Sequence, residues 1–224
     1  MIEDRLNEVL ATLPEGVRLV AVSKYHPAEA ISEAYRAGQR LFGESHVQEL
    51  VQKQAALPND IEWHFIGHLQ TNKVKYIVPF ISLIHAVDSL KLLREIDRQA
   101  ERCGRDSVRC LLQLHVAREE TKFGFLPDEL RHLMQEGQWR ELHHVRIAGL
   151  MCMATNTDDR RQVSGEFRLA RELFSELKAE YFGASNDFSE LSMGMSGDYT
   201  LAIEQGSTLV RIGTAIFGER DYSA

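Results

Sequence analysis

Apolar residues fall into eight short runs along the chain, at 17–23, 40–43, 62–66, 82–87, 108–116, 145–150, 189–192 and 208–212. Their lengths and the turn residues around them predict strands. Between the runs lie stretches with helical spacing. One covers 28–37, opened by Pro27, where a missing N–H costs nothing, and closed by Gly38. The others fall at about 46–56, 70–77, 89–103, 127–136, 158–182 and 197–205, and a further helix from about 2 to 12 precedes the first strand. Strands alternating with helices imply parallel βαβ units. Eight such units in 224 residues predict an α/β protein built as one (β/α)8 TIM barrel spanning 1–224.

In such a barrel the functional groups sit at the C-terminal ends of the strands. Lys24 stands at the end of the first run, just before Tyr25-His26-Pro27. Lysine is rarely buried without a partner, and desolvation of an amine produces the neutral nucleophile that forms Schiff bases. The last run ends in Arg211-Ile212-Gly213-Thr214, whose small residues Gly213 and Thr214 are suited to holding a phosphate. First and last strands are neighbours in a closed barrel, so these groups share an address. The loop after the seventh strand adds Ser192-Met193-Gly194-Met195-Ser196-Gly197-Asp198, where Ser196 and Asp198 read singly as helix caps. A lysine for an aldehyde, with an arginine and glycine for a phosphorylated ring, suggests pyridoxal 5′-phosphate (PLP).

Composition narrows the setting. Hydrophobic residues make up 44% and charged residues 26%, so the chain is globular rather than disordered. The net charge of −7 argues against wholesale nucleic-acid binding. No apolar run is long enough to cross a bilayer, and Met1-Ile2-Glu3-Asp4-Arg5 does not open a signal peptide. Cys103, Cys110 and Cys152 lack CxxC spacing and suit free thiols in a reducing cytoplasm. A cytoplasmic protein, without nucleic-acid or membrane partners, is the expectation.

The chain resembles the pyridoxal phosphate homeostasis protein family, single-domain PLP-binding proteins related to the barrel domain of alanine racemases. The strings that carry the resemblance run nearly end to end: Leu19 to Lys24, Phe42-Gly43-Glu44 with Val47-Gln48-Glu49, Trp63 to Gly67, and Leu69 to Lys73. They continue with Thr121 to Phe125, Gly149-Leu150-Met151, Leu191 to Ser196 with Asp198, Val210 to Gly213, and Ile216-Phe217-Gly218. The resemblance implies that Lys24 carries PLP as a Schiff base, that Ser196, Gly213 and Thr214 hold its phosphate, and that Arg211 faces the pyridine nitrogen. The family usually has Asn after Phe-Gly-Glu, where this chain has Ser45-His46; Ser45 can still donate a hydrogen bond, with shorter reach.

Arginine stays protonated at all working pH values, so it keeps the ring nitrogen an unprotonated acceptor. PLP is a better electron sink as a pyridinium, usually secured by a carboxylate. Cofactor handling is therefore the expected role, with PLP homeostasis as the function, no catalytic residue assigned, and apo PLP-dependent enzymes or amino acids as further partners. A monomer or weak dimer is expected. Two enzyme classes are the alternatives: a PLP-dependent amino-acid racemase, which needs a second base that the sequence does not identify although it holds Tyr25, Tyr199 and Tyr222, and an aldolase-type barrel enzyme using Lys24 on a phosphorylated aldehyde or ketone.

Other polar residues read more plainly. His64 and His68 have zinc-like spacing but lack a shared helical face, so no metal site is expected. Lys73, Lys75 and the arginines 160, 161, 168 and 171 read as solvated helix faces, and Lys122 as a surface lysine within reach of the open end of the barrel. Met151, Cys152 and Met153 belong to the sixth strand end and its packing.

Overall fold

The computed structural model describes residues 1–118, 123–183 and 185–219. Thr121, Lys122 and Tyr222 therefore lie outside the described residues. Eight parallel strands close into a barrel in sequence order: β1 (Arg18–Val22), β2 (Leu41–Glu44), β3 (Glu62–Phe65), β4 (Leu83–Val87), β5 (Val108–Leu114), β6 (Val145–Cys152), β7 (Glu190–Ser192) and β8 (Leu209–Ile212). Closure is made by β1 on β8, with Val20 opposite Arg211 and Ala21 opposite Ile212.

The helices are α1 (Ile2–Ala11), α2 (Ala28–Arg36), α3 (Val47–Ala56), α4 (Val74–Ile77), α5 (Leu90–Arg102), α6 (Pro127–Glu136), α7 (Arg160–Leu177), α8 (Tyr199–Glu204) and α9 (Thr214–Phe217). Local chemistry sets several of their starts. Ser89 caps α5 by accepting the Leu92 N–H, and Asp159 caps α7 by accepting those of Arg161 and Gln162. The expected 70–77 helix is a 3-10 turn at Thr71–Lys73 running into α4, and the end of the expected 158–182 helix widens into a π turn at Lys178–Phe182. The four residues of α9 are too few for helical periodicity to reveal from sequence.

Strand alternation divides the core in two. Outward residues such as Leu19, Ala21, Trp63, Phe65, Leu191 and Val210 join the helices in the large apolar shell. Inward residues form a smaller apolar cluster of Val20, Leu83, Ala86, Leu111, Ala148, Met151 and Leu209. The interior also holds buried polar groups, whereas such barrels are usually filled by branched apolar side chains. At its lower end Glu190, 5% exposed, pairs with Arg18 and with Arg109, the latter at 2.9 Å. Above lie His64, His85, Ser192 and Arg211, all buried.

One glycine is fixed by this packing. Gly149 in β6 has φ +150°, and a Cβ there would lie 1.8 Å from the Glu190 carbonyl oxygen of β7. No side chain can be accommodated at that crossing.

Candidate functional site

Alternation along β1 points Arg18, Val20 and Val22 into the barrel, and two residues on Lys24 emerges at the open end with the same parity. Pairing with β8 brings Arg211, Gly213 and Thr214 beside it. A cavity of about 240 Å³ opens there. Lys24, Ser196, Arg211, Gly213 and Thr214, the five residues expected to act together, all line it. Ser45, and Met195 and Gly197 of the loop after β7, also border it, whereas the apolar Val22, Ile66 and Met153 were not assigned from the sequence. Ser45 thus borders the cavity at the position where the resemblance led us to expect an asparagine. A wider surface depression of about 820 Å³ lies alongside, between the starts of α2 and α3.

Arg211 is the group that most needs explaining. It is 4% exposed, and its guanidinium donates to Ser192 Oγ at 2.6 Å and to the Cys152 carbonyl at 3.0 Å. Among the described residues no carboxylate lies within ion-pairing distance of it. Burial lowers its pKa from the ordinary value. A buried cation with spare N–H groups at a cavity wall is costly unless something else meets it.

Behind Arg211 a hydrogen-bonded row continues into the barrel. Ser192 Oγ is 3.0 Å from His85 Nδ1, and His85 Nε2 is 3.0 Å from His64 Nδ1. Arginine can only donate, so the Ser192 hydroxyl accepts from it and donates its own proton to His85 Nδ1. His85 then carries its proton on Nε2 and donates to His64. The row is satisfied with both rings neutral, and burial holds them so: His64 is pushed down to about 3, and His85 well below its ordinary range. His64 is therefore an interior hydrogen-bond partner. His68 lies apart, against Asp88 at 3.1 Å and stacked on Phe123.

The side of the cavity formed by Ser196, Gly197, Gly213 and Thr214 is built from small residues. A Cβ on Gly213 would approach the Val22 carbonyl oxygen to 3.0 Å, so a larger residue would push β1 and β8 apart or crowd the cavity. The first amides of α9, at Thr214 and Ala215, have no acceptor within the helix. Asp198, read from sequence as a cap, turns back to accept the Met195 N–H at 2.6 Å and makes no side-chain cap bond to α8. That bond tightens the loop that presents Ser196 and Gly197.

Of the tyrosines noted in the sequence, Tyr25 and Tyr199 lie elsewhere. The Tyr199 hydroxyl is 3.1 Å from Thr12 Oγ1, and the Tyr25 hydroxyl is 3.4 Å from His46 Nε2. Neither lines the 240 Å³ cavity.

A parallel eight-stranded barrel with a lysine and a buried arginine at its mouth defines a protein of the alanine racemase barrel class. In keeping with this, the family model "Alanine racemase, N-terminal domain" matches residues 1–221. Within that class the chain belongs to the pyridoxal phosphate homeostasis protein family. It is 44% identical to the protein of that name from Aquifex aeolicus over 207 residues, 92% of this chain and 88% of the relative. It is 38% identical to the human one over 236 residues, 99% of this chain and 85% of the relative. Among solved structures, PipY of Synechococcus elongatus without PLP superposes with a TM-score of 0.91 at 41% identity, covering 97% of this chain and all of that one. The PLP-bound form of PipY gives 0.86 at 42% identity, with the same coverage. An alanine racemase of Clostridium difficile shares the fold alone, with a TM-score of 0.79 at 13% identity, covering all of this chain and 57% of that one.

Proposed function

We propose that this protein binds PLP, holding it covalently on Lys24, and serves intracellular PLP homeostasis. The observation that carries the reading is the convergence of Lys24, Arg211, Ser196, Gly213 and Thr214 on one small cavity. The residues fit the group. Lys24 offers an amine for an aldehyde, and the guanidinium of Arg211 offers donors to a neutral ring nitrogen. Ser196, Thr214 and the free amides beside Gly213 offer donors to a phosphate. PLP itself supplies an electrophilic aldehyde and an electron-withdrawing ring.

The chain's own groups favour keeping the cofactor over using it. Arg211, with no carboxylate among the described residues lining the cavity to protonate the ring nitrogen, damps the electron sink. Among the described residues lining the cavity, Lys24 is the only general base. Relatives named pyridoxal phosphate homeostasis protein and the PLP-bound PipY structure support the same reading. The described helices include none long and apolar enough to cross a membrane.

The test is direct. Purified protein should show a visible absorption band with PLP, and borohydride should fix the cofactor on the Lys24 peptide. Lys24→Ala should lose both. A wild-type adduct found wholly on another lysine overturns the assignment. Sustained turnover of D- or L-amino acids near 1 s⁻¹, at the low end of typical enzymes, overturns the carrier role.

A further inference from the structure

The turn that presents Lys24 is held from beneath by a charged cluster in which Lys53 and Glu44 are buried and Glu49 is part-exposed. Tyr25 has φ 64°, in the left-handed region that a non-glycine residue seldom adopts. Its N–H donates to Glu49 Oε1 at 2.6 Å. The same oxygen accepts from Lys53 Nζ at 2.6 Å, one helical turn further along α3. Lys53 is 7% exposed and donates twice more, to the Ser23 carbonyl at 2.8 Å and to Glu44 Oε1 at 2.7 Å. Ser23 Oγ also donates to Glu44 Oε1, at 2.7 Å.

The geometry of these bonds singles out one residue. The Ser23 carbonyl belongs to the peptide group before Lys24, and the Tyr25 N–H belongs to the one after it. Both peptide planes flanking Lys24 are thus anchored to one ammonium–carboxylate cluster, which fixes the backbone torsions from which the lysine side chain departs. The Lys53 ammonium has three N–H groups and all three are occupied, so it is a strut and not a second nucleophile.

We propose that Lys53 and Glu49 are positioning residues for Lys24, aiming its amine into the cavity through the peptides on either side of it. This rests on the reading of Lys24 as the covalent attachment point. A plain fold-stabilising cluster would act on the whole site. A positioning cluster acts on the lysine and leaves the pocket for the ring and phosphate intact.

Pyridoxine 5′-phosphate separates the two. It keeps the ring and phosphate of PLP but carries an alcohol in place of the aldehyde. The experiment first traps PLP on wild-type protein with borohydride; failure to label the Lys24 peptide overturns the covalent reading and this proposal with it. Lys53→Met and Glu49→Ala are then compared with wild type in the rate of visible-band formation on mixing with PLP, and in affinity for pyridoxine 5′-phosphate. The expected result is a rate lower by roughly 10- to 100-fold, the scale of an ångström-level misplacement, with pyridoxine 5′-phosphate affinity within about twofold of wild type. Glu49 is part-exposed at the rim, so Glu49→Ala carries the test even if Lys53→Met does not fold. An unchanged rate in a folded variant, or equal losses for both ligands, overturns the proposal.

Discussion

Replacing Arg211 with methionine should move stability and affinity in opposite directions. The guanidinium is 4% exposed, makes two hydrogen bonds to the protein, and among the described residues meets no carboxylate at ion-pairing distance. Burying an ion costs several kcal/mol after relaxation, and hydrogen bonds to a charged group return about 1.5–3 kcal/mol each. The two sides nearly cancel in the ligand-free protein. Arg211→Met removes the charge but leaves Ser192 Oγ and the Cys152 carbonyl without a donor, so its apo stability should lie within about 1.5 kcal/mol of wild type, or above it. For a chain of this size that is a shift of about 6 °C or less in Tm. Affinity for PLP should meanwhile fall roughly 10- to 150-fold, the equivalent of one charge-assisted contact. Thermal melts of cofactor-free protein, paired with spectroscopic titration, read both quantities. An apo Tm lowered by more than about 8 °C would make Arg211 a structural strut and refute the reasoning. So would unchanged PLP affinity.

Other outcomes follow from the same structure. His64, pushed down to about 3, and His85, also held below its ordinary value, bind fewer protons folded than unfolded, so the stability they contribute is present above pH 6.5 and lost as pH falls below it. Urea unfolding between pH 7.5 and 5 should show a slope approaching about 1.4 kcal/mol per pH unit per histidine, and His64→Asn should remove one share; a flat profile contradicts their neutral burial. Gly149→Ala should cost more than about 4 kcal/mol and give insoluble protein, because its Cβ would overlap the Glu190 carbonyl; soluble protein with a near-normal Tm would show that β6 and β7 do not cross as described. Pyridoxal, lacking the phosphate, should bind orders of magnitude more weakly than PLP, since several bonds of about 1.5–3 kcal/mol are absent; equal affinity would rule out the cup at Ser196, Gly213 and Thr214.

Much of this was readable along the chain because it depends on parity and order. Eight apolar runs alternating with helices give the barrel, and β1 with β8 must then be neighbours, which places Lys24 beside Arg211 and Gly213 before any coordinate is seen. Features that need the register of several strands at once were not readable. Arg18, Glu190 and Arg109 come from β1, β7 and β5, and nothing local to any one of them announces the others. The His64–His85–Ser192 row likewise spans three strands. Lys53 left a trace: it sits three residues after Leu50 on the buried face of α3 and four after Glu49, an odd place for a solvated lysine. The trace had no meaning until Ser23 and Glu44 were seen above it.

Closure of the barrel between its first and last strands has a temporal consequence. Lys24 follows the first strand and Arg211, Gly213 and Thr214 come with the eighth, so the cavity comes into being only when the two ends of the ring meet. A nascent chain still lacking β8 has the amine but neither the guanidinium nor the amides beside it. On the proposed reading, ligand capture therefore waits for the completed ring, and a bound molecule would lock the seam through which the barrel would otherwise open.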